Sequence, residues 1–497
     1  MTGDVVIVGA SAGGLTVAEV LRRKGFDGRI RLVGAEVHPP YDRPPLSKEI
    51  LTGAWGPERA LLRDDERLDA LGAEFILGRH ARHLDLTERT VKLDDGRTLG
   101  FGSLVIATGV TPRRLGCQRE LAGVSTFRTL DDAMALRREL AGPEPGASPA
   151  TAQTVAGGGG PASTGAGGGN PDASPATAQT DAGGSDPHAA AAGSGNPDAA
   201  GAGDGVSAPV EAWPSAHSGF GSAVARPTAT ATPAAQRAAT GTTAARQAAT
   251  GPPAARRVVI VGAGVLGCEI AAAARELGHE VTLVEPGPVP MERQLGLRVG
   301  GHVAAMHRDR GVKLRTGVNV TAFLGTERLS GVELSDGSVL AAELAVVTAG
   351  SVPATGWLAN SGLGLVDGVE CDEYGRAAPG VYAVGDVARW RHPVTGVSSR
   401  IETRTNASEQ AMTVATNILG GNRCPTPVPY FWSDQYDTRI QLYGTVTPHS
   451  HIRVIDGAVD DGRFVALAET GDTVTAAIGW NNPRGTRTAR ARLTAVG

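Results

Sequence analysis

Two glycine-rich hexapeptides are the residues best placed to do chemistry. Gly9-Ala-Ser11-Ala-Gly13-Gly14 follows the apolar run Val5 to Val8, and Gly262-Ala-Gly264-Val-Leu-Gly267 follows Val258 to Val261. Glycines at a strand-to-helix turn let backbone N–H groups approach a pyrophosphate, while the positive end of the helix faces its charge. The second hexapeptide has the full G-x-G-x-x-G spacing. The first has Ser11 in the middle position, small enough to allow most of the same approach. About 20 residues beyond the second turn, the run Val281 to Val284 delivers Glu285. An acid there accepts hydrogen bonds from a ribose 2′-OH and repels a 2′-phosphate, so the spacing predicts NADH in preference to NADPH.

Two further stretches carry candidate groups. Tyr41-Asp-Arg43-Pro-Pro-Leu-Ser-Lys48 contains two prolines and is expected to be extended and stiff, holding Arg43 and Lys48 against a ligand at little entropic cost. In Ala-Val-Gly-Asp386 an apolar strand ends on a carboxylate, expected just before a helical stretch and aimed at a hydroxyl-bearing ligand. A helix expected from Asn406 to Leu419 would turn its positive end toward a flavin ring.

The elements that must position these groups repeat. Strand, turn, amphipathic helix and strand run from Asp4 to Glu36 and again from Arg257 to Glu285, each a βαβ unit of about 30 residues. Each is followed by an Asp-Gly hairpin, at Asp95-Gly96 and Asp336-Gly337, and by a buried strand ending in small residues before a proline, at Thr108-Gly109 with Pro112 and at Gly350 with Pro353. The expected fold class is α/β, with two Rossmann-like dinucleotide-binding domains, a small α+β C-terminal domain and a long disordered insert. The expected boundaries are 1–115 and 351–423 for a discontinuous FAD-binding domain, 116–141 and 257–350 for an NAD-binding domain, and 424–497 for the C-terminal domain. Between them, 142–256 is an Ala/Gly/Ser/Thr/Pro-rich stretch that repeats Ala-Ser-Pro-Ala-Thr-Ala-Gln-Thr, a composition unable to bury enough apolar surface to fold.

Composition excludes some functions. A net charge of −4 over 497 residues argues against a nucleic-acid binder. The 4 cysteines are far apart with no C-x-x-C, which argues against a zinc site or a redox dithiol and predicts no metal. No apolar run approaches the roughly 20 residues of a membrane span, and strand-like sequence begins at Asp4, so the expected address is the cytoplasm.

Together with Arg-Pro-Pro-Leu-Ser-Lys48, Ala-Thr-Gly109, Arg128-Thr-Leu-Asp-Asp and Tyr-Phe-Trp432-Ser-Asp-Gln435-Tyr, these motifs resemble the FAD-dependent ferredoxin reductases of the putidaredoxin reductase and aromatic-ring dioxygenase reductase type. The likeness covers nearly everything outside the insert. It implies that Gly13, Lys48, Arg128, Asp386 and Arg404 stand at FAD-contacting positions, with Lys48 near the isoalloxazine, and that Trp432 lies at the flavin edge where an iron–sulfur partner docks. Two positions depart from the pattern. Arg404 stands in a stretch where relatives place an aromatic, and Ala35 stands where an acid often meets the adenosine ribose, a task that passes to Glu36.

The resemblance implies hydride transfer from NADH to FAD, then single electrons to a ferredoxin-type iron–sulfur protein that feeds a monooxygenase or dioxygenase. Disulfide reductases of similar fold need a cysteine beside the flavin, where this chain has Ser47-Lys48. A second class stays open at this point, a flavin and NADH redox sensor or interaction protein with slow turnover, similar to apoptosis-inducing factor.

Overall fold

The computed structural model describes residues 3–142 and 254–493. Most of the insert expected at 142–256 therefore lies outside the described residues. Its described end joins the folded body, since the Arg256 backbone N–H donates to His279 Nδ1 at 3.3 Å.

Val5–Val8 is apolar at every position and buried on both faces, the signature of a central strand in a parallel sheet. It pairs in parallel with Ile30–Gly34 on one side, Val5 opposite Ile30, and with Ser103–Ile106 on the other. The sheet extends outward to Glu74–Leu77 at one edge and, on the other side, through Val381–Ala383 from the far end of the chain to an antiparallel edge strand, Arg376–Ala378. Arg257–Val261 occupies the same central place in a five-stranded parallel sheet, flanked by Glu280–Glu285 and Leu344–Val347, with Lys313–Thr316 and Val124–Thr126 at its edges. Complete burial of each Val or Ile contributes roughly 1.5–3 kcal/mol, so these short strands anchor their sheets.

Both Asp-Gly hairpins form, each within a three-stranded antiparallel meander. The chain just past each small-residue strand end also pairs with its counterpart, Val110–Pro112 running antiparallel to Ser351–Pro353. A third body is a five-stranded antiparallel sheet, in the order Tyr430–Gln435, Thr438–Gly444, Thr473–Trp480, Arg463–Thr470, His451–Ala458, with the helix Pro483–Ala489 against it. Phe464 and Trp480 stack in its core at 5.8 Å. No helix among the described residues is long and apolar enough to cross a membrane.

Three local expectations change. The segment around Lys48 is not extended: Pro45 adopts helical dihedrals (φ −69°, ψ −17°) and caps a π-helical turn, Leu46–Ile50. Proline fixes only φ, at a value that also suits a helix start, where its missing N–H costs nothing. Asp386 sits in the middle of a single 3-10 turn, Gly385–Val387, which leads into a strand, Ala388–Arg391, rather than into a helix. The helix expected from Asn406 begins at Arg404, because the Thr403 hydroxyl accepts from Asn406 N at 3.2 Å and caps it there.

Candidate functional site

Each glycine loop is shaped by close backbone approaches. Gly9 has φ +119°, and a Cβ there would stand 2.1 Å from the Ala107 carbonyl oxygen; one on Gly14 would stand 1.9 Å from the Gly9 oxygen. The second loop repeats this: Gly262 has φ +102°, a Cβ there would stand 2.7 Å from the Thr348 oxygen, and one on Gly267 would stand 1.9 Å from the Gly262 oxygen. The outer glycines of both loops are thus required by the fold. Gly264 differs, since a Cβ there would meet nothing within 4 Å. The fold alone therefore does not require glycine at 264, and the space beside it is a cradle that a side chain would fill. Ser11, its counterpart, precedes the helix Ala12–Arg23 with extended backbone and makes no capping bond with its side chain. No acid sits in that helix's first turn, so its positive end is unneutralised.

Gly9 and Ser11 form one wall of a cleft of about 440 Å³, which also takes in Glu36, Arg43, Thr108 and Arg128. Arg43 pairs with Glu36 at 2.9 Å, stands 5.3 Å from the centre of the Tyr41 ring and donates to the Arg128 carbonyl at 2.8 Å. Tyr41 donates to the other Glu36 oxygen at 2.5 Å, and burial pushes its phenol well above the ordinary range. Arg128 reaches out of the wall to Asp386, 3.4 Å away. Burial pushes the Asp386 carboxyl up, against the pull of Arg128. Thr108 is tied to the returning chain through Ala354 O at 3.0 Å, and Gly109, with φ +67°, turns beside Arg128. The cleft thus offers amide donors and three guanidiniums, those of Arg43, Arg79 and Arg128, for phosphates, and carboxylates for hydroxyls. The indole nitrogen of Trp357, a residue of its wall, has no hydrogen-bond partner. This donor set fits FAD.

The remaining expected FAD residues stand elsewhere. Gly13 faces Val384 and Ala407, and a Cβ there would stand 3.4 Å or more from both, at ordinary packing distance. Arg404 pairs with Asp42 at 2.7 Å and also bonds the Ser408 hydroxyl, so its charge is matched locally. Lys48 is nearly buried, and its Nζ lies 3.1 Å from Glu269 Oε2. Glu269, on the helix Val265–Glu276 that follows the second loop, was not anticipated from the sequence. It also accepts from Ser47 Oγ at 2.5 Å and Ser433 Oγ at 2.9 Å. Burial pushes its carboxyl up, while Lys48 and the two hydroxyls draw it back. The network continues through Gln435, whose amide donates to Ser433 at 2.9 Å, and His307, 2.9 Å from the Gln435 oxygen. One clue was present in the sequence: a carboxylate inside Val-Leu-Gly-Cys-Glu269-Ile-Ala-Ala-Ala-Ala needs a partner.

Glu285 stands where expected, at the end of its strand. Its carboxylate accepts from Ala263 N at 2.6 Å and Gly287 N at 3.0 Å, which fixes it beside the second loop. Trp432 lies on Tyr430–Gln435 and stacks on Tyr430 at 5.9 Å, on the strand face opposite Ser433. All four cysteines are free and none lines the cleft. Burial pushes the thiols of Cys268 and Cys371 far up, which makes them inert.

Comparison with known proteins agrees with this layout. The family model described as pyridine nucleotide-disulphide oxidoreductase matches residues 3–165 and 220–411, and one described as reductase C-terminal matches 430–496. A ferredoxin–NAD(P)(+) reductase of Sphingomonas sp. is 30% identical, the match covering 93% of this chain and 88% of that protein. The ferredoxin–NAD(+) reductase component of the p-cumate 2,3-dioxygenase system of Pseudomonas putida is 31% identical, over 88% of this chain and 81% of that protein. Among solved structures, the covalent putidaredoxin reductase–putidaredoxin complex aligns with a TM-score of 0.73 and 25% identity, over 98% of this chain and 92% of that one.

Proposed function

The chain belongs to the pyridine nucleotide-disulphide oxidoreductase family, and on that premise we propose that it is an FAD-dependent NADH:ferredoxin oxidoreductase supplying electrons to an oxygenase. FAD, when bound, supplies the exchange between a two-electron hydride donor and one-electron carriers. The observation that carries this reading is the pairing of two glycine loops with the same backbone approaches and a cleft on the first that holds three guanidiniums and no thiol. The relatives' roles as ferredoxin reductases support the choice of acceptor.

Each residue then has a task. The amides of Gly9 to Gly14, with Ser11, Arg43 and Arg128, hold phosphates; Glu36 takes the adenosine ribose; Thr108 and Gly109 shape the crossing; Asp386 takes a ribityl hydroxyl. Lys48, fixed by Glu269, sets the charge near the ring system. Arg404, matched by Asp42, positions the helix it begins rather than adding a free charge. Gly262, Gly264, Gly267 and Glu285 bind NADH, and Trp432 stands on the partner side. We place the protein in the cytoplasm, where its four free cysteines would stay reduced.

The test is anaerobic stopped-flow absorbance of the purified yellow protein, mixed with NADH and then with a panel of ferredoxins. Rapid bleaching followed by rapid return of colour with one ferredoxin is the expected result. A reduced protein that persists with every carrier would replace this reading with that of a redox sensor.

A further inference from the structure

Glu285 is not the only carboxylate at the mouth of the second glycine loop. A Cβ built on Gly287 would stand 3.3 Å from Glu285 Oε1 and 2.9 Å from Glu292 Oε2, and the three atoms nearest to it all belong to these two side chains. Two negative charges therefore face one point, in the space that a glycine leaves. Glu285 spends its oxygens on backbone amides, and among the described residues no cation pairs with either carboxylate.

Ala263, inside the loop, fixes both. Its N–H donates to Glu285 Oε2 at 2.6 Å, and its carbonyl accepts from Met291 N at 2.8 Å. Met291 is buried, and its backbone is left-handed, with φ +54°. A residue other than glycine rarely holds that angle unless its surroundings impose it. Here the Met291 carbonyl accepts from Gln294 N at 3.0 Å and Leu295 N at 2.9 Å, and its sulfur accepts from Gln435 Nε2 at 3.5 Å. The turn that results brings Glu292 back over Gly287, while Arg293, the next residue, stands exposed.

We propose that Glu292 is a second specificity-determining residue for the nicotinamide cofactor, one that excludes a 2′-phosphate by charge while Glu285 holds the ribose hydroxyl. The inference rests on the reading that the second loop binds NADH, and it adds a residue from a separate element to the choice between NADH and NADPH. A phosphate monoester carries about two negative charges near neutral pH. Placed on the 2′-oxygen beside Glu285, it would meet Glu292 across Gly287 with no described cation between them. A like charge about 5 Å away in a partly solvated site changes affinity by roughly 10-fold. Because Glu292 is half-buried and not enclosed, that repulsion weakens as salt is raised. Glu285 alone then does not account for the whole preference: with its charge removed, Glu292 still disfavours the phosphate.

The test titrates the oxidised full-length holoenzyme with ADP-ribose and with 2′-phospho-ADP-ribose by calorimetry, at low and high salt, so that no turnover enters the readout. Glu292→Gln removes the charge and keeps the size; Glu292→Lys reverses the charge. The ratio of the two dissociation constants is expected to move toward the phosphorylated ligand by roughly 10-fold in the first variant and further in the second, with both shifts shrinking at high salt. Glu285→Gln should move the ratio separately, and the double variant, Glu285→Gln with Glu292→Gln, should exceed either alone. A wild-type ratio at low salt in Glu292→Gln or Glu292→Lys, beside a shifted Glu285→Gln, overturns the role of Glu292 alone. If wild type binds neither ligand, or no variant moves the ratio, the NADH reading of this loop falls and takes the inference with it.

Discussion

Lys48 Nζ and Glu269 Oε2 stand 3.1 Å apart and join the π-helical turn beside the first glycine loop's domain to the helix that begins at the second. Both side chains are nearly excluded from solvent, at 13% and 6% exposure. Removing one partner of a buried pair leaves an uncompensated charge, at a cost of about 3–5 kcal/mol. Lys48→Met should therefore lower the melting temperature markedly. Adding Glu269→Gln should restore part of it, because Ser47 and Ser433 can still hydrogen-bond the amide. A double-mutant cycle on thermal unfolding checks this; additivity within about 0.5 kcal/mol would mean that the two charges do not support one another.

Gly264 and Gly267 belong to one motif but answer to different constraints. A Cβ at 267 would stand 1.9 Å from the Gly262 oxygen, while one at 264 would meet nothing within 4 Å. Gly267→Ala should lower the melting temperature and the yield of folded protein. Gly264→Ala should melt like wild type and yet raise KM for NADH by roughly 10-fold or more, since backbone approach to the pyrophosphate is what glycine permits there. A Gly264→Ala enzyme with unchanged KM would place NADH elsewhere.

The two parallel sheets were legible because Val5–Val8 and Val258–Val261 are buried on both faces and announce themselves by composition alone. Groups whose reason is tertiary were not. Glu269 is explained by Lys48 and Ser433, which come from distant parts of the chain, and Arg404 by Asp42. The prolines before Lys48 signal stiffness in the sequence, but the backbone angle they fix serves a helical turn as well as an extended one, and here Lys48 N and Ile50 N both donate to the Pro45 oxygen and close the turn. At Asp386 the strand end was readable from its small apolar residues, whereas the strand that follows depends on pairing with Val369–Cys371.

Glu285 accepts from two backbone amides, so its charge and its bracing of the loop are separable. Glu285→Ala removes both and should reduce the NADH-over-NADPH ratio of kcat/KM by roughly 10- to 100-fold, the value of one or two hydrogen bonds to a charged group. Glu285→Gln keeps an acceptor for one amide while losing the repulsion of a 2′-phosphate. It should lose selectivity with little change in melting temperature. Steady-state kinetics with both cofactors measures the ratio, and an unaltered preference in the Gln variant would remove charge as the basis of choice.

His307 closes the buried network: Nε2 donates toward Gln435 Oε1 at 2.9 Å, which leaves Nδ1 to accept from the Tyr436 hydroxyl at 3.2 Å. That arrangement needs a neutral ring, and burial lowers the imidazole from its ordinary 6.5 to about 4. As pH falls through 6.5 the unfolded chain takes up a proton that the folded one refuses until about 4. Between those values the unfolded state binds more protons, so stability declines as the solution is acidified, by about 2 kcal/mol at roughly pH 5. Above 6.5 the contribution is complete, and below about 4 its loss levels off. His307→Gln removes the titrating ring. The variant should start less stable near neutrality, having lost one hydrogen bond to Tyr436, but its melting temperature should fall less than that of wild type between about pH 7 and about pH 5. Parallel melting curves for the two proteins would assign the acid sensitivity to other groups, since a constant offset is all that a lost packing contact can produce.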